Sequence, residues 1–158
     1  MQYVPERYLD DRTDLKGTRL KLLCRLGCLP LMNRVGREQE PPWPKESRVC
    51  LMCSLGEVED VDHFIMRCPA YDRHRQRLLL TVDTAISKTA APIPQILGAN
   101  NRLAIVLGKR IGAIRWEDKI DMATKCYLRK AWNGRGRLTR AVNTALCTNY
   151  DVVKAVDR

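Results

Sequence analysis

The feature that most constrains this chain is a cluster of three cysteines and one histidine within nineteen residues near its middle. The four are spaced C-x2-C-x9-H-x4-C and are Cys50, Cys53, His63 and Cys68. Three thiolates and one imidazole complete a tetrahedral shell around Zn²⁺. Since a shell made wholly of side chains leaves no position for water, the spacing predicts a structural zinc site. Binding at such sites contributes on the order of 10 kcal/mol to folding.

The residues around the cluster predict how it is held. Gly56 lets the chain turn away from the Cys50–Cys53 pair, and Asp60 is placed to cap a helix that carries His63. Cys68 lies five residues beyond His63, about 140° from its face on an α-helix. Because proline disfavours helical geometry in the residue before it, Pro69 predicts that Cys68 lies just past the helix end, where it can turn back towards His63.

Two other interpretations of the cluster stay open at this point. His74 is a second candidate for the imidazole ligand, although its three arginine neighbours favour a solvated or phosphate-bound side chain. The four residues are also compatible with a buried apolar cluster that holds no metal. The remaining cysteines lie on apolar stretches and are interpreted as core thiols: Cys24, Cys28, Cys126 and Cys147.

The hydrophobic periodicity predicts helices on both sides of the cluster. Asp14 is placed to cap a first helix that ends at Gly27, with its apolar face at Leu15, Leu22, Leu23 and Leu26. A second helix begins near Pro69, with an apolar stripe at Tyr71, Leu78, Leu79, Val82 and Ile86. A third has its apolar face at Trp116, Ile120, Ala123, Tyr127 and Ala131, and we expect Gly134 and Gly136 to interrupt it.

These patterns predict a mostly α fold, a small helical domain in which the CCHC zinc knuckle staples the middle of the chain. We divide it into three segments. Residues 1–47 form an N-terminal helical segment that ends in the Pro-rich connector "EPPWP", residues 48–87 form the zinc module with its following helix, and residues 88–158 form a basic C-terminal helical segment.

The net charge of +10 is concentrated in one part of the chain, because residues 101–140 contain eleven basic and three acidic residues. A concentrated positive field attracts polyanions, and nucleic acid is the partner we expect. A solvated basic surface without a ligand is the alternative. The candidate phosphate contacts are Arg67, Arg73, Arg75, Arg77, Lys109, Arg110, Lys125, Arg129, Lys130, Arg135 and Arg137, and the candidate stacking residues are Trp43, Tyr71 and Trp132.

The chain has no apolar run long enough to cross a bilayer and no N-terminal signal pattern. Its seven cysteines are therefore expected in a reducing compartment, which predicts a nuclear or cytoplasmic protein without a membrane partner.

Two stretches carry a resemblance to a known family. "LLCRLGCLPLMNRVGRE" followed by "CLMCSLGEVEDVDHFIMRCPAYDRHRQRLL" resembles the zinc-binding region at the C-terminal end of reverse transcriptases from non-LTR (LINE-like) retrotransposons. Glu59 occupies the family's acidic position before the histidine, Asp60 replaces its usual threonine, and Tyr71 and Arg75 continue the match. The resemblance covers roughly residues 15 to 135 and is specific between 48 and 80.

The resemblance implies an accessory segment that helps a polymerase engage element RNA or target DNA during target-primed reverse transcription. We find no palm or fingers pattern and no endonuclease-like carboxylate cluster, so the expected function is binding without catalysis. The sequence "YLDD" at residues 8–11 matches the Y-x-D-D motif of reverse transcriptases, but its polar flanks favour a turn or helix start. Alternatives are a protein–protein docking module for a polymerase core and a domesticated retrotransposon-derived protein with another partner.

Overall fold

The structure, a computed structural model, describes residues 13–88, 99–111 and 114–156, with side chains described outside 99–101 and 138–156. Its α-helices are Leu15–Arg25 (α1), Met32–Arg37 (α2), Asp72–Lys88 (α3), Ala99–Val106 (α4) and Ile114–Val156 (α5). In these ranges the β structure is limited to one isolated bridge. The prediction of a mostly α fold is therefore confirmed. The interpretation of "YLDD" concerns residues outside those described, and that of Cys147 concerns a side chain outside those described.

The first helix begins and ends where the sequence predicts, but it buries a different face. The Asp14 side chain accepts a hydrogen bond from the backbone N–H of Gly17, and Gly27 adopts a positive φ of 62° just beyond the helix. Leu15 and Leu26 are exposed, whereas Leu20 and Cys24 are buried. The predicted apolar face is wrong because α5 lies against the side of α1 that carries Leu20.

The last helix is continuous, so the predicted interruption at Gly134 and Gly136 is wrong. A glycine costs about 1 kcal/mol in a helix interior relative to alanine. Packing on both sides of these positions offsets that cost, because Ala131 is fully buried and Arg135 is largely buried. In the described parts of the chain, no helix combines the length and hydropathy that a membrane span requires.

One hydrophobic core draws on all three sequence segments, and α5 lies at its centre between α1 and α3. The Phe64 ring, next to the zinc-ligand candidates, contacts three rings: Tyr71 at a centroid distance of 5.1 Å, Tyr127 at 6.2 Å and Trp132 at 6.3 Å. The segment that carries the ligand candidates therefore rests directly on the last helix.

An ion cluster is buried where α1 meets α5. The Asp121 carboxylate accepts from Lys21 Nζ and from Lys125 Nζ, each at 2.7 Å. Both lysines are almost fully buried, although the sequence pattern places them on the outward faces of their helices. Their long apolar stems cover core surface while the shared carboxylate neutralises part of their charge. Helical periodicity places Lys21 and Lys125 opposite the apolar faces predicted for their helices, so the exposure that it predicts for these two lysines is wrong.

Candidate metal centre and basic groove

The structure brings together the four residues that the spacing selects. One ligand atom from each of Cys50, Cys53, His63 and Cys68 lies within 4.8 Å of the others. Cys50 Sγ is 3.8 Å from Cys68 Sγ, and Cys53 Sγ is 3.5 Å from His63 Nε2. This Cys3His group could bind a metal ion. His74 lies elsewhere, on α3, so the alternative ligand set is not assembled.

The first two cysteines lie on a short loop between Val49 and Val58, which we call the cysteine loop. Val49 and Val58 form the isolated bridge, and the backbone N–H of Cys50 donates to the Glu57 carbonyl at 2.9 Å. Gly56 has a positive φ of 65°, as the predicted turn requires. The Met52 N–H points at Cys50 Sγ at 3.4 Å, which stabilises negative charge on that sulfur.

A π-helical turn accommodates the five-residue spacing between His63 and Cys68. The Asp60 side chain accepts from the His63 N–H at 2.8 Å, which confirms the predicted cap. The turn then widens, so that the Cys68 N–H donates to the His63 carbonyl five residues earlier at 2.7 Å. Cys68 itself leaves the helix with φ −60° and ψ 117°, as expected before Pro69. The two side chains thereby reach the same site.

The end of this turn leaves backbone carbonyls that other elements satisfy. Phe64 O has no partner five residues on because Pro69 lacks an N–H, and the Tyr127 hydroxyl donates to it at 2.5 Å. The Arg75 guanidinium donates to Cys68 O at 2.6 Å and to Ile65 O at 3.4 Å. Arg75 therefore closes the ligand-bearing turn. This contact is structural, whereas the sequence predicts that Arg75 contacts phosphate.

Glu57 is a functional residue that the sequence analysis missed. Its carboxylate oxygen lies 3.0 Å from His63 Nδ1, the ring nitrogen that faces away from Cys53. A carboxylate in this position fixes the orientation and tautomer of a ligating imidazole. Arg67 holds Glu57 in place at 2.8 Å and also pairs with Asp62 at 2.9 Å.

Glu59 lies behind the site and is fully buried. It accepts hydrogen bonds from Arg135 Nε at 2.9 Å and Nη2 at 2.8 Å, and from the Met32 N–H at 2.8 Å. Its Oε1 is also 3.8 Å from Cys50 Sγ. A single carboxylate thus joins α2, the cysteine loop and α5.

The thiols of the site are in an environment that opposes an unneutralised negative charge. Burial raises the pKa of the Cys50 thiol, and the negative charges of Glu59, Cys68 and Cys53 add to that effect. Burial likewise raises the pKa of Cys68. Because metal ligation needs thiolates, a cation bound here would supply the positive charge that stabilises them.

Three of the predicted phosphate contacts are unsuited to that function because they are buried in internal contacts. Arg75 closes the π-helical turn, Lys125 pairs with Asp121, and Arg135 pairs with Glu59. Arg67 is partly exposed, but the carboxylates of Glu57, Asp60 and Asp62 surround it. Periodicity and net charge do not distinguish an exposed cation from one neutralised by a residue far away in sequence.

Four other predicted contacts converge on one groove between α3 and α5, which we call the basic groove. Its volume is about 630 Å³. His74 and Lys119, which are not among the predicted phosphate contacts, also line it. The predicted members are Arg73, Arg77, Arg129 and Lys130.

The remaining cationic candidates lie outside the basic groove. Lys109 and Arg110 are exposed and line a second cleft of about 440 Å³ beside Arg25, and Arg137 is exposed on α5. Of the stacking candidates, Tyr71 is buried and Trp132 packs on Phe64, so their rings belong to the core. Trp43 keeps 38% of its surface exposed.

Comparison of the chain with protein-family models, with curated proteins and with solved structures finds no match.

Proposed function

We propose that this chain is a zinc-stabilised nucleic-acid-binding module with no catalysis of its own. The metal part of the proposal rests on the distances between ligand atoms. Zn–S bonds of about 2.3 Å and Zn–N bonds of about 2.0 Å in a tetrahedron give ligand separations of about 3.8 Å for S···S and about 3.5 Å for S···N. The Cys50–Cys68 and Cys53–His63 separations are 3.8 and 3.5 Å.

Zinc fits this donor set better than the other common ions. Thiolate and imidazole ligands in a tetrahedral arrangement are typical of zinc, whereas magnesium and calcium prefer oxygen. Since all four positions come from side chains, the metal would hold the cysteine loop and the π-helical turn together. The turn itself packs on α5 through the Phe64 ring, which contacts Tyr127 and Trp132. Glu57 would orient His63 at this metal.

The nucleic-acid part rests on the distribution of unneutralised charge. The single observation that carries it is that Arg73, Arg77 and Lys130 line one groove with no carboxylate partner among the residues the structure describes. Like charges four residues apart on a helix repel one another by a few tenths of a kcal/mol. A bound phosphate would remove that cost and release counterions.

The resemblance to the C-terminal region of non-LTR reverse transcriptases supplies a biological setting for this activity. In that setting the module would engage element RNA or target DNA in target-primed reverse transcription, next to a polymerase core. A domesticated protein with another nucleic-acid partner would use the same residues.

The test measures metal content and binding on the same preparation. We expect a single Zn²⁺ per chain, loss of helical circular dichroism on chelation, and saturable RNA or DNA binding with a log–log salt slope that corresponds to several phosphates. Cys28→Ser is the control for Cys53→Ser, since Cys28 lies outside the Cys3His group. A chain that folds stably without metal, or that fails to bind either polymer at low salt, contradicts the proposal.

A second candidate function is docking onto a protein, favoured by one observation. Leu51 and Leu55, in the loop that carries Cys53, expose 52% and 53% of their surface. Apolar side chains that are exposed close together in sequence can form part of a contact surface. A complex with a polymerase core that persists at high salt, and that Leu51→Ser/Leu55→Ser abolishes, would identify this function.

A further inference from the structure

We propose that the basic groove binds the backbone of a single-stranded nucleic acid without reading its sequence. The inference rests on the proposed function and adds the place, the form of the polymer and the mode of contact. The groove has two walls, one supplied by α3 and the other by α5, and its cationic side chains come from both.

The charges of the groove are nearly all of one sign. Among the described residues, five arginines and lysines line it, against a single carboxylate, that of Asp14. That carboxylate already accepts from the Gly17 N–H at 2.9 Å, and its other oxygen lies 3.3 Å from Arg129 Nε. It therefore neutralises one wall residue in part and leaves the other cations for an external anion.

Within the described parts of the chain, some exposed cations outside the groove are paired and others, such as Arg37 and Lys45, are not. What distinguishes the groove is that it gathers several unpaired cations in one cleft. Arg34 pairs with Glu38, Arg102 pairs with Asp83, and Arg67 is surrounded by three carboxylates. In the basic groove, by contrast, Arg73, Arg77 and Lys130 have no ion pair with any described residue. A positive groove with unpaired donors on both sides is the arrangement with which single-strand binders follow a phosphate backbone.

The floor of the groove is apolar and offers few groups that could read bases. Leu78 and Ala123 present only carbon atoms, and the Tyr127 hydroxyl is already bonded to Phe64 O. The Thr81 hydroxyl donates to the Arg77 carbonyl of its own helix. Sequence readout needs donors and acceptors aimed at base edges. The floor therefore favours contact with sugars and base faces over sequence recognition.

The concave shape favours a single strand over a duplex. Proteins read duplex DNA by inserting a helix or ribbon into its grooves, so the protein surface there is convex. Here the protein supplies the cleft, and its volume of about 630 Å³ is within the roughly 300–1,000 Å³ that suits small ligands. A few nucleotides of one strand fit such a volume, while a duplex would contact only its rim.

The experiment compares two triple variants that remove the same charge. Arg73→Gln/Arg77→Gln/Lys130→Gln changes the groove, and Arg19→Gln/Arg37→Gln/Lys45→Gln changes exposed cations outside it. Zinc-loaded full chains are titrated with an unstructured single-stranded RNA, the same strand as DNA and the matching duplex, by fluorescence anisotropy across salt. Zinc content and circular dichroism establish that both variants fold.

We expect the groove variant to bind the single strand at least tenfold more weakly at low salt. Its log–log salt slope should fall by about 2, because each phosphate contact on a single strand contributes about 0.7. The control variant should lose no more than about threefold, and scrambling the strand sequence should change affinity by less than that.

Each other outcome overturns the inference in a distinguishable way. Equal losses in the two variants would mean that the whole basic surface attracts the polymer and the groove is not the site. Tighter binding of the duplex would overturn the single-strand form, and a strong dependence on strand sequence would overturn backbone binding. Wild-type protein that binds no nucleic acid would overturn the proposed function and this inference together.

Discussion

Glu59 and Arg135 form a buried ion pair with two hydrogen bonds, although seventy-six residues separate them in sequence. Glu59 is also 3.8 Å from Cys50 Sγ, so the pair links the cysteine loop to the last helix. A buried pair is costly to form, but removing one partner leaves an uncompensated charge in the core.

Arg135→Met should therefore destabilise the zinc-loaded protein by about 3–5 kcal/mol, because it leaves Glu59 charged and buried. Urea unfolding measures the loss. The double variant Glu59→Gln/Arg135→Met should recover a large part of it, since neither charge remains. Arg34→Met, at an exposed pair with Glu38, is the control and should leave stability nearly unchanged. Additive losses in the double variant would show that the pair is not coupled.

Glu57→Gln should weaken metal binding by about 10–100-fold without changing the number of sites, because the neutral amide holds His63 less firmly. Competition with a chromophoric chelator measures the affinity. Glu46→Gln is the matched control, since Glu46 is exposed and outside the site. Equal affinities for the two variants would remove Glu57 from the metal centre.

Two glycine substitutions should shift stability in opposite directions. A Cβ at Gly134 meets no atom of the described residues within 4 Å, so Gly134→Ala should stabilise the helix by about 0.5–1 kcal/mol. A Cβ at Gly17 would lie 2.6 Å from Lys125 Cβ, so Gly17→Ala should cost about 1–3 kcal/mol by forcing α1 from α5. Thermal unfolding checks both, and a stabilising Gly17→Ala would contradict the close contact of these helices.

Removal of the Tyr127 hydroxyl and removal of the Tyr71 hydroxyl should affect stability differently. Tyr127→Phe should cost about 1–3 kcal/mol, because Phe64 O then loses its buried donor. The Tyr71 hydroxyl is buried with no hydrogen-bond partner among the described residues, so Tyr71→Phe should be neutral or stabilising. Equilibrium unfolding of the two variants at the same zinc concentration makes the comparison, and similar losses would contradict it.

The Lys21–Asp121–Lys125 cluster predicts a pH dependence. Burial lowers the pKa of Lys21 from 10.5, and the hydrogen bond and charge of Asp121 oppose that shift. Between the folded and unfolded pKa values the unfolded chain binds more protons, so this lysine makes stability rise with pH up to about 10.5.

Asp121→Asn should make the stability depend more strongly on pH, because it removes the carboxylate that Lys21 and Lys125 share. We expect a loss of about 3–5 kcal/mol near neutral pH, partly recovered as the pH approaches 10. Urea midpoints at several pH values measure it. Asp83→Asn, at an exposed pair with Arg102, is the control and should show neither change. A loss that stays constant with pH would show that lysine charge is not its cause.

The ligand set could be predicted from sequence because its geometry is local. The Cys-x2-Cys turn, the Asp60 cap and the effect of Pro69 on Cys68 all act within a few residues, and the structure brings the four ligand candidates together. The π-helical turn was not predicted. The five-residue spacing between His63 and Cys68 is compatible both with a π-helical turn and with an ordinary helix that ends before Pro69, so the spacing does not distinguish them.

The buried cations could not be predicted because their partners are remote. Arg135 meets Glu59 and Lys21 meets Asp121 across 76 and 100 residues. A helical period places Lys21 opposite the predicted apolar face of α1, and only packing of the whole chain reveals the carboxylate partners of the two cations. The same limit explains the misassigned face of α1, whose burial depends on α5.

The position of α5 also has a consequence for synthesis of the chain. The cysteine loop, the π-helical turn and Arg75 lie within residues 48–75, so they can assemble around a metal as soon as that stretch has left the ribosome. Glu59 and the Phe64 carbonyl, however, receive their partners only from residues 135 and 127. A truncated translation product that ends before α5 would contain all four ligand candidates but would leave Glu59 without Arg135 and the Phe64 carbonyl without Tyr127, so these contacts form only when the last helix is complete.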